Sequence, residues 1–390
     1  MQETPFQTIG RAPRIGIIGG GQLARMTAGA ALQLGCELAI LERSEGAPAS
    51  RIVAEVIHGD WDDPKMLLKL ASRVDVLTLE NEFVDANSLA KVEDAGHKLW
   101  PTSATMRLIQ DKLLQKEAMA KAGLKTARFK ATPNREAVAE AGAEFGWPLV
   151  LKARRNGYDG KGNHTVRSEK DIEEAWTALR GDSNGLYAEE FCPFAAELAI
   201  IVTRARNGEL AVYPLVESVQ KNHICHLTKA PAGHPEDVTR KAMEAAQRAI
   251  SAIEGVGSFG VEMFLTRGNE ILINELAPRV HNTGHYTIEG CECSQFENHV
   301  RAILGWPLGS TRMTAPAAVM VNLLGDSKGP GMPSGLTNAL SVPGAYIHIY
   351  GKTSSNKGRK MGHVTALGSS VEEALAKAQR AAEYLKFGQS

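Results

Sequence analysis

The stretch RIGIIGGGQLARM, Arg14 to Met26, joins an isoleucine-rich run to three glycines and then to residues with helical spacing. The pattern Gly19-x-Gly21-x-x-Ala24 has the spacing of a dinucleotide-binding turn between a strand and a helix. A second apolar run, CELAILE, follows and ends on Glu42, where a ribose-binding acid lies in such units. The stretch predicts a βαβ unit, and from these residues alone a nicotinamide cofactor is one open interpretation.

The residues beyond this unit continue the alternation of helices and strands. HGDWDDPKMLLKLASR (58–73) predicts a helix and VDVLTLE (74–80) predicts a strand. Such alternation indicates a parallel sheet with helices on both faces, whose ligands bind beyond the C-terminal ends of the strands. We predict a Rossmann-like, substrate-binding domain over residues 1–110.

After about residue 110 the pattern changes to helices and strand pairs. DKLLQKEAMAKAG predicts a helix that ends at Gly123, and PLVLKA and NHTVR predict two strands joined by a glycine-rich loop. The dipeptides Asn207-Gly208 and Gly268-Asn269 predict the turns of two hairpins. The predicted units are a small lid subdomain (111–190), a large subdomain (191–305) and an α+β portion that packs on it (306–390).

Bulk composition limits the classes of function. The 390 residues are long for one core, and 44 basic residues balance 44 acidic ones, so no net charge attracts nucleic acid or an anionic membrane. Five cysteines without a CxxC pair argue against a disulfide framework. The sequence contains neither an apolar run of membrane-spanning length nor a signal-peptide core at its start. We therefore expect a cytoplasmic protein of two or three domains that binds neither nucleic acid nor membrane.

Three features of the middle region together predict a nucleotide site. Lys152 lies in a predicted strand, and the loop after it holds glycines whose N–H groups can face an anion. Glu262 and Glu275 lie on neighbouring strands of the second hairpin, so their carboxylates can face one another. Adjacent carboxylates repel unless a cation lies between them, and Mg²⁺ binds carboxylates together with phosphate oxygens. Taken singly, the three have plainer interpretations: a solvated lysine, a flexible turn and an exposed acid pair.

Longer motifs favour the combined interpretation. KARRNGYDGKGN, AEEFCPFAAELA, FGVEMF and NELAPRVHNTGHYT resemble, in this order, the motifs of ATP-grasp enzymes. With GGGQLARM, YPLVE and GRKMGHV, the chain resembles one ATP-grasp family in particular, the N5-carboxyaminoimidazole ribonucleotide synthetases, over about residues 14–366. The resemblance implies an α/β and α+β architecture: an ATP-grasp fold with an N-terminal Rossmann-like (pre-ATP-grasp) domain, a small lid domain and a C-terminal α+β portion.

The resemblance also implies which residues bind ATP. Arg107 and Lys152 would contact the nucleotide phosphates, and Glu197 would bind the ribose hydroxyls. Gln220 stands where relatives usually have a histidine that contacts ATP, and a glutamine can still donate one hydrogen bond. The phosphate cover, the linker that recognises adenine and the metal end of the site supply the remaining ATP-binding residues: Gly157, Tyr158, Asp159, Gly160, Lys161, Gly162, Asn163, Glu189, Glu190, Phe191, Cys192, Asn274 and Glu275.

Two further groups of residues follow from the resemblance. The implied metal ligands are Glu262 and Glu275, and the implied catalytic residues are Arg279, His281, Asn282 and Lys352, of which the first three would hold bicarbonate. The implied substrate-binding residues are Gly20, Gly21, Gln22, Leu23, Glu80, Glu82, Arg155, Tyr158, Lys352 and Arg359. The backbone donors at Gln22 and Leu23, at a helix N-terminus, would hold a monophosphate. For Lys357 and Lys360 a solvated charge is an equally good interpretation.

The reaction implied by the resemblance is an ATP-dependent carboxylation. ATP phosphorylates bicarbonate to carboxyphosphate, which releases carbon dioxide, and the exocyclic amine of 5-aminoimidazole ribonucleotide (AIR) captures it. The expected substrates are ATP, bicarbonate and AIR, with Mg²⁺, or Mn²⁺ in its place, as cofactor. The family implies a homodimer and a hand-off of the product, N5-carboxyaminoimidazole ribonucleotide (N5-CAIR), to N5-CAIR mutase. His281 is a candidate for the general base, although orienting bicarbonate is an equal interpretation.

Three other functions stay open on the sequence. A related ATP-grasp ligase, such as the formate-dependent glycinamide ribonucleotide transformylase, would share the nucleotide half of the site. A nicotinamide oxidoreductase would use the glycine turn but leaves the second nucleotide site unexplained. A nucleotide-binding module without catalysis is disfavoured, because both Glu262 and Glu275 are present.

Overall fold

The computed structural model describes residue 6 and residues 10–157, 161–221 and 224–388. Among these residues no helix combines the length and the apolar character needed to cross a membrane. The strands form three main sheets of four, four and nine strands, together with one two-stranded pair.

The N-terminal sheet is parallel, as predicted. Its strands lie in the order β3-β2-β1-β4. Separate apolar clusters fill a core on each face, so the prediction of helices on both faces is confirmed. The sequence analysis had no prediction for β3. The elements are β1 (Arg14–Ile18), α1 (Gln22–Gln33), β2 (Glu37–Glu42), β3 (Glu55–His58), α2 (Pro64–Ala71), β4 (Val76–Leu79), α3 (Ala86–Asp94) and α4 (Ser103–Gln110).

The second sheet is antiparallel, in the order β5-β8-β6-β7. The predicted pair around Lys152 is confirmed, because β6 and β7 are neighbours that pair Lys152 with Asn163. The preceding helix, α5, ends as predicted before Gly123, which has a left-handed φ of 69° that suits glycine. The elements are α5 (Lys112–Lys121), β5 (Phe129–Thr132), α6 (Arg135–Phe145), β6 (Leu149–Ala153), β7 (Asn163–Val166), α7 (Ile172–Ala178) and β8 (Leu186–Glu190).

The nine-stranded sheet continues through the end of the chain. Its order is β14-β13-β9-β11-β12-β15-β19-β17, with β10 paired to β9. Both predicted hairpins, β9 with β10 and β13 with β14, are present. The middle elements are β9 (Phe194–Arg204), β10 (Leu210–Val212), β11 (Val216–Lys221), β12 (Ile224–Ala230), α8 (Glu236–Ala252), β13 (Gly257–Thr266), β14 (Ile271–Ala277), α9 (Thr287–Gly290) and α10 (Gln295–Leu304).

The C-terminal elements extend this sheet. The pairing of β12 with β15 runs across the predicted boundary at residue 305, so residues on both sides of it share one sheet. The boundaries themselves stay predictions. The elements are β15 (Ala317–Leu324), β16 (Gly329–Pro330), α11 (Leu336–Leu340), β17 (Ala345–Ile349), β18 (Ser354–Ser355), β19 (Lys360–Gly368) and α12 (Val371–Tyr384).

A buried histidine on α10 connects the N-terminal sheet to the nine-stranded sheet. The N–H of Ser258, on β13, donates to Nδ1 of His299 (3.0 Å). Because Nδ1 accepts, the ring proton lies on Nε2, which is 2.8 Å from the hydroxyl of Thr78 on β4. Together with the packing of α1 on α10, this contact holds the glycine turn of the first sheet against the large sheet.

Candidate active site

A cleft of about 460 Å³ lies between the second sheet and the nine-stranded sheet. It brings together side chains that are far apart in the sequence, because β6 to β8 form one wall and β9, β11, β13 and β14 form the other. Fifteen residues predicted for the ATP, metal or bicarbonate sites line it: Lys152, Gly157, Lys161, Asn163, Glu189, Glu190, Phe191, Cys192, Glu197, Gln220, Glu262, Asn274, Glu275, His281 and Asn282.

The acidic pair lines the same cleft as Lys152. Glu262 and Glu275 are direct partners in the register of β13 and β14, so the predicted juxtaposition of the two carboxylates is confirmed. About a third of the Glu262 side chain faces the open cleft. Even so, desolvation by the surrounding protein and the charge of Glu275 raise the pKa of Glu262 to about 7. The pair therefore carries more negative charge than the local protein neutralises.

The donor set fits Mg²⁺ bound together with phosphate. Within the described parts of the chain, no group of three or more His, Cys, Asp or Glu side chains is arranged to hold a metal ion. Two carboxylates are sufficient for a magnesium ion that takes its remaining oxygens from phosphate and water. The juxtaposition of the two carboxylates in the cleft is the observation that fits a cation here, since a divalent charge would relieve both the desolvation and the mutual repulsion that raise the pKa of Glu262.

Helix α5 supplies two lysines that the sequence analysis missed. Lys112 Nζ lies 2.6 Å from Glu275 Oε2. One turn later, Lys116 forms a 2.5 Å ion pair with the buried Glu189, whose other oxygen accepts from Lys152 Nζ at 2.6 Å. Although burial opposes it, the two lysines hold the pKa of Glu189 below its usual value. The available signal was DKLLQK, which places two lysines four residues apart on one face of a predicted helix.

Arg107 lies apart from the other predicted phosphate contacts. It is an exposed residue in the last turn of α4, and its Nη2 donates to Asn87 Oδ1 at 2.9 Å. It is absent from the cleft lining, whereas Lys112 lines both the main cleft and an adjoining cavity of about 210 Å³. The structure therefore adds Lys112 to the cations of the cleft, and the nucleotide contact of Arg107 stays a prediction.

The predicted anion-binding residues lie at the end of β14. His281 lines the cleft, with Nε2 3.4 Å from Glu262 Oε1. Burial and the charge of Arg279 lower the pKa of His281 to about 3, so the imidazole is neutral. Arg279 is engaged by Glu82, which accepts from Nε at 2.5 Å and from Nη2 at 2.8 Å. The Nδ2 of Asn282 is buried without a hydrogen-bond partner among the described residues, so it is a donor suited to an anion.

Two N–H groups at the glycine turn, those of Gly20 and Ala24, donate to carboxylates of the protein. Gly21 is the N-cap of α1 and supplies no side-chain cap. Instead, Glu42 accepts from the N–H of Gly20 (2.6 Å) and Glu80 accepts from the N–H of Ala24 (3.1 Å). The second oxygen of Glu42 accepts from Ser44 N–H at 2.9 Å. Glu42 is thus not available for ribose hydroxyls, which removes the main support for the nicotinamide interpretation.

The remaining predicted substrate residues lie on two other segments. Lys352 Nζ donates to the carbonyl of Lys360 (2.6 Å), and Arg359 Nη1 donates to the carbonyl of Ser354 (2.7 Å). Arg155 is about half exposed and lines the adjoining cavity together with Glu82. Gly162, which was predicted to bind ATP, accepts a hydrogen bond from the N–H of Ala153 at the base of the glycine-rich loop between β6 and β7. Tyr158, Asp159 and Gly160 lie outside the described residues.

Comparison with known proteins agrees with this geometry. A model described as an ATP-grasp domain matches residues 117–296, a ribonucleotide synthetase pre-ATP-grasp domain matches 13–110, and a phosphoribosylaminoimidazole carboxylase C-terminal domain matches 318–377. The N5-carboxyaminoimidazole ribonucleotide synthase of Synechococcus elongatus is 40% identical, over 90% of this chain and 88% of its own. The chain belongs to the N5-carboxyaminoimidazole ribonucleotide synthetase family.

Other members of this synthetase family extend the comparison. An N5-carboxyaminoimidazole synthase structure from Aspergillus clavatus, in complex with ADP and 5-aminoimidazole ribonucleotide, superposes with a TM-score of 0.87 at 37% identity, covering 96% of this chain and 98% of that one. The phosphoribosylaminoimidazole carboxylase of Ogataea methanolica is 43% identical over 92% of this chain. The chain spans about two thirds of the length of that carboxylase and of similar ones. The predicted ATP-grasp fold is confirmed, with its pre-ATP-grasp and C-terminal domains.

Proposed function

We propose that this protein is an ATP-dependent carbon–nitrogen ligase that carboxylates the exocyclic amine of AIR. ATP and bicarbonate are consumed, and N5-CAIR, ADP and phosphate are formed, in purine biosynthesis. The observation that carries the proposal is that one cleft of a member of this synthetase family gathers Lys152, Glu262 and Glu275. The relative from Aspergillus clavatus, which binds ADP and AIR, supports the choice of substrates.

The nucleotide half of the cleft has the charges that phosphoryl transfer requires. Transfer of the γ-phosphoryl group depends on positioning and charge neutralisation rather than on a covalent nucleophile. Lys112 and Lys152 would neutralise the phosphates, and Glu262 and Glu275 would hold Mg²⁺, or Mn²⁺ in its place. The bound ion would supply further neutralisation of the phosphate charge. The exposed Phe191 and the stacked rings of Phe194 and Phe264 offer an apolar surface for the base.

The bicarbonate half of the cleft lies at residues 279–282. A bicarbonate oxygen attacks the γ-phosphorus, the bond from that phosphorus to ADP breaks, and carboxyphosphate forms. Carboxyphosphate then divides into carbon dioxide and phosphate, and the amine of AIR attacks the carbon and loses a proton. The unpartnered Nδ2 of Asn282 and the guanidinium of Arg279 suit a small planar anion. His281 is neutral, and its low pKa makes it a weak proton acceptor, so orientation of bicarbonate is at least as well supported for it as the role of base.

The substrate half would face the N-terminal sheet. The glycine turn at Gly20 to Leu23 would bind the AIR phosphate at the start of α1, with Lys352 and Arg359 nearby. Glu80 and Glu82 would contact the sugar or the base. We further propose a cytoplasmic homodimer, whose five free cysteines suit a reducing compartment, and transfer of N5-CAIR to N5-CAIR mutase.

Phosphate release from Mg-ATP tests the proposal directly. The assay is run with AIR, with and without added bicarbonate, and the expected result is release that requires both. Release that instead requires glycinamide ribonucleotide and formate would point to the related ATP-grasp ligase. Tight binding of NADH without ATP turnover would point to an oxidoreductase.

A further inference from the structure

Residues 275–282, here called the anion segment, carry the groups of both halves of the reaction. Glu275 stands at its start, and Arg279, His281 and Asn282 stand near its end. Strand β14 ends at Ala277, so residues 278–282 leave the sheet, while residues 275–277 lie on an edge strand that pairs with β13 on one side only. The backbone groups on the open side of the strand and beyond its end therefore need other partners.

A buried glutamine holds the start of the segment. Gln115, on α5, is 3% exposed. Its Oε1 accepts from the N–H of Leu276 (2.9 Å), and its Nε2 donates to the carbonyl of the same residue (3.2 Å). The Nε2 also donates to the carbonyl of Ile109 at 3.3 Å. One side-chain amide thus satisfies both peptide groups of Leu276, the residue next to Glu275.

A second buried glutamine holds the end of the segment in the same way. Gln295, on α10, is fully buried. Its Oε1 accepts from the N–H of His281 (2.8 Å), and its Nε2 donates to the carbonyl of His281 (2.7 Å). His285 Nδ1 lies 3.3 Å from the same Nε2. The two peptide groups of His281 determine the orientation of the amide, since only its oxygen can accept and only its nitrogen can donate.

The neighbouring glycines leave space for this arrangement. A Cβ on Gly284 would lie 2.7 Å from Cδ of Gln295, and a Cβ on Gly260 would lie 2.6 Å from Cγ of the His281 ring. Real Cβ atoms do not approach other atoms so closely, so an alanine at either position would displace the group beside it. The arrangement at His281 can therefore be perturbed without removing the glutamine itself.

We propose that Gln115 and Gln295 are positioning residues that act on different halves of the reaction. Gln115 acts through Leu276 on the carboxylate of Glu275, at the metal and phosphate end. Gln295 acts through His281 on the bicarbonate end. A side-chain amide offers the same donor and acceptor as a peptide, so each glutamine takes the place of a missing neighbouring strand. The assignment of the two ends to substrates rests on the proposed function.

The test uses Gln115→Met and Gln295→Met, which keep an unbranched side chain of similar volume and remove the amide. For Gln295→Met we expect the KM for bicarbonate to rise about tenfold to a hundredfold, with the KM for ATP changed by less than about twofold. For Gln115→Met we expect the reverse pattern. The control is Gln379→Met, an exposed glutamine on α12, which should leave both constants unchanged.

Amide hydrogen exchange provides a readout that does not need turnover. Gln295→Met should speed exchange at the N–H of His281, and Gln115→Met should speed it at the N–H of Leu276, because each loses its acceptor. Calorimetry of ADP binding with and without Mg²⁺ should show weaker binding for Gln115→Met only. Gly284→Ala displaces Gln295 and should repeat the bicarbonate effect if the methionine variant folds poorly.

Two results would overturn the inference. One is a change of all KM values by the same factor in both variants, which would indicate a general structural role. The other is unchanged exchange at both N–H groups. A wild-type protein that hydrolyses no ATP with bicarbonate and AIR would instead contradict the proposed function, and the exchange experiment would still decide whether the glutamines hold the segment.

Discussion

The glycine turn of the N-terminal sheet and the acidic pair of the nine-stranded sheet differ in the partners that their carboxylates have. In the turn, carboxylates of Glu42 and Glu80 accept from backbone N–H groups. In the nine-stranded sheet, Glu275 forms an ion pair with Lys112, but burial and the charge of Glu275 raise the pKa of its neighbour Glu262 to about 7. Two N–H groups of the turn are satisfied from within the protein, whereas the acidic pair keeps a carboxyl group whose pKa is raised by burial and by its neighbour's charge.

This difference shows how little a glycine spacing says about its ligand. Glu42 and Glu80 lie 22 and 56 residues beyond the N–H groups that they accept from. A dinucleotide interpretation needs Glu42 to face solvent, and its two oxygens are used by the protein itself. The acidic pair is more informative, because two adjacent carboxylates in an open cleft are a donor set that fits a cation.

The largest loss of activity is expected from Glu275→Gln, a substitution in the acidic pair. Removing one carboxylate of the acidic pair should lower turnover by about a hundredfold or more, because the cation and the phosphates lose a ligand. The measurement is phosphate release, with thermal unfolding to verify the fold. Glu270→Gln is the control, since Glu270 is exposed on the same hairpin and pairs with Lys125. Near-normal turnover of Glu275→Gln would contradict the metal assignment.

Lys112→Met tests the nucleotide contact that the structure adds, and Arg107→Met tests the one that the sequence predicts. Lys112 lines the cleft, so its loss should raise the KM for ATP about tenfold to a hundredfold. Arg107→Met should leave this KM within about twofold, because Arg107 contacts Asn87 outside the cleft. Steady-state kinetics with ATP varied measures both. A larger rise in the KM for ATP in Arg107→Met than in Lys112→Met would instead favour the phosphate contact that the sequence predicts for Arg107.

The KM for AIR is expected to depend on pH through Lys352, which we propose lies near the AIR phosphate. Burial and the charges of Arg359 and Lys360 lower the pKa of Lys352 to about 8, against the opposing charge of Glu80. Above that pH Lys352 loses its proton, so the KM for AIR should rise about tenfold between about pH 7 and pH 9. Lys352→Arg should abolish the rise, because an arginine stays charged. A rise of equal size in that variant would exclude Lys352 as its origin.

The smallest effect is a change in stability with pH at His299, which connects the N-terminal sheet to the nine-stranded sheet. Burial lowers its pKa to about 4, below the usual value of 6.5. The unfolded state binds the proton first as pH falls, so stability is full above about pH 6.5 and decreases toward pH 4. The contribution of His299 to the loss between about pH 7 and pH 5.5 is about 1 kcal/mol. Urea unfolding at several pH values gives the free energy of unfolding as a function of pH. This free energy should decrease less with falling pH for His299→Gln than for the wild type, and an equal decrease in both proteins would contradict the assignment.

Local signals account for the parts of the fold that were predicted correctly. The turns at Asn207-Gly208 and Gly268-Asn269 and the glycine after α5 depend on the backbone preferences of a few residues, so the sequence displays them directly. Strand β3 has the sequence EVIH, in which only two apolar residues stand between an acid and a histidine, so it lacks the longer apolar run of VDVLTLE and no strand was predicted there. The site was recognised through motifs, but Lys112 and Lys116 were missed because a lysine on an amphipathic helix usually faces solvent.

By itself, the sequence determined the parallel N-terminal unit apart from β3, the two hairpins, the ATP-grasp resemblance and the opposition of Glu262 and Glu275. Each of these depends on residues close together in the chain or within one hairpin. Only the tertiary structure decided which cation meets Glu275, which carboxylates occupy the glycine turn, and that Gln115 and Gln295 hold the anion segment. Those contacts join residues 22 to 163 positions apart, except for the 14 positions between His281 and Gln295. Hydrogen bonds and ion pairs depend on distances of a few tenths of an ångström, which only the packing of whole sheets and helices sets.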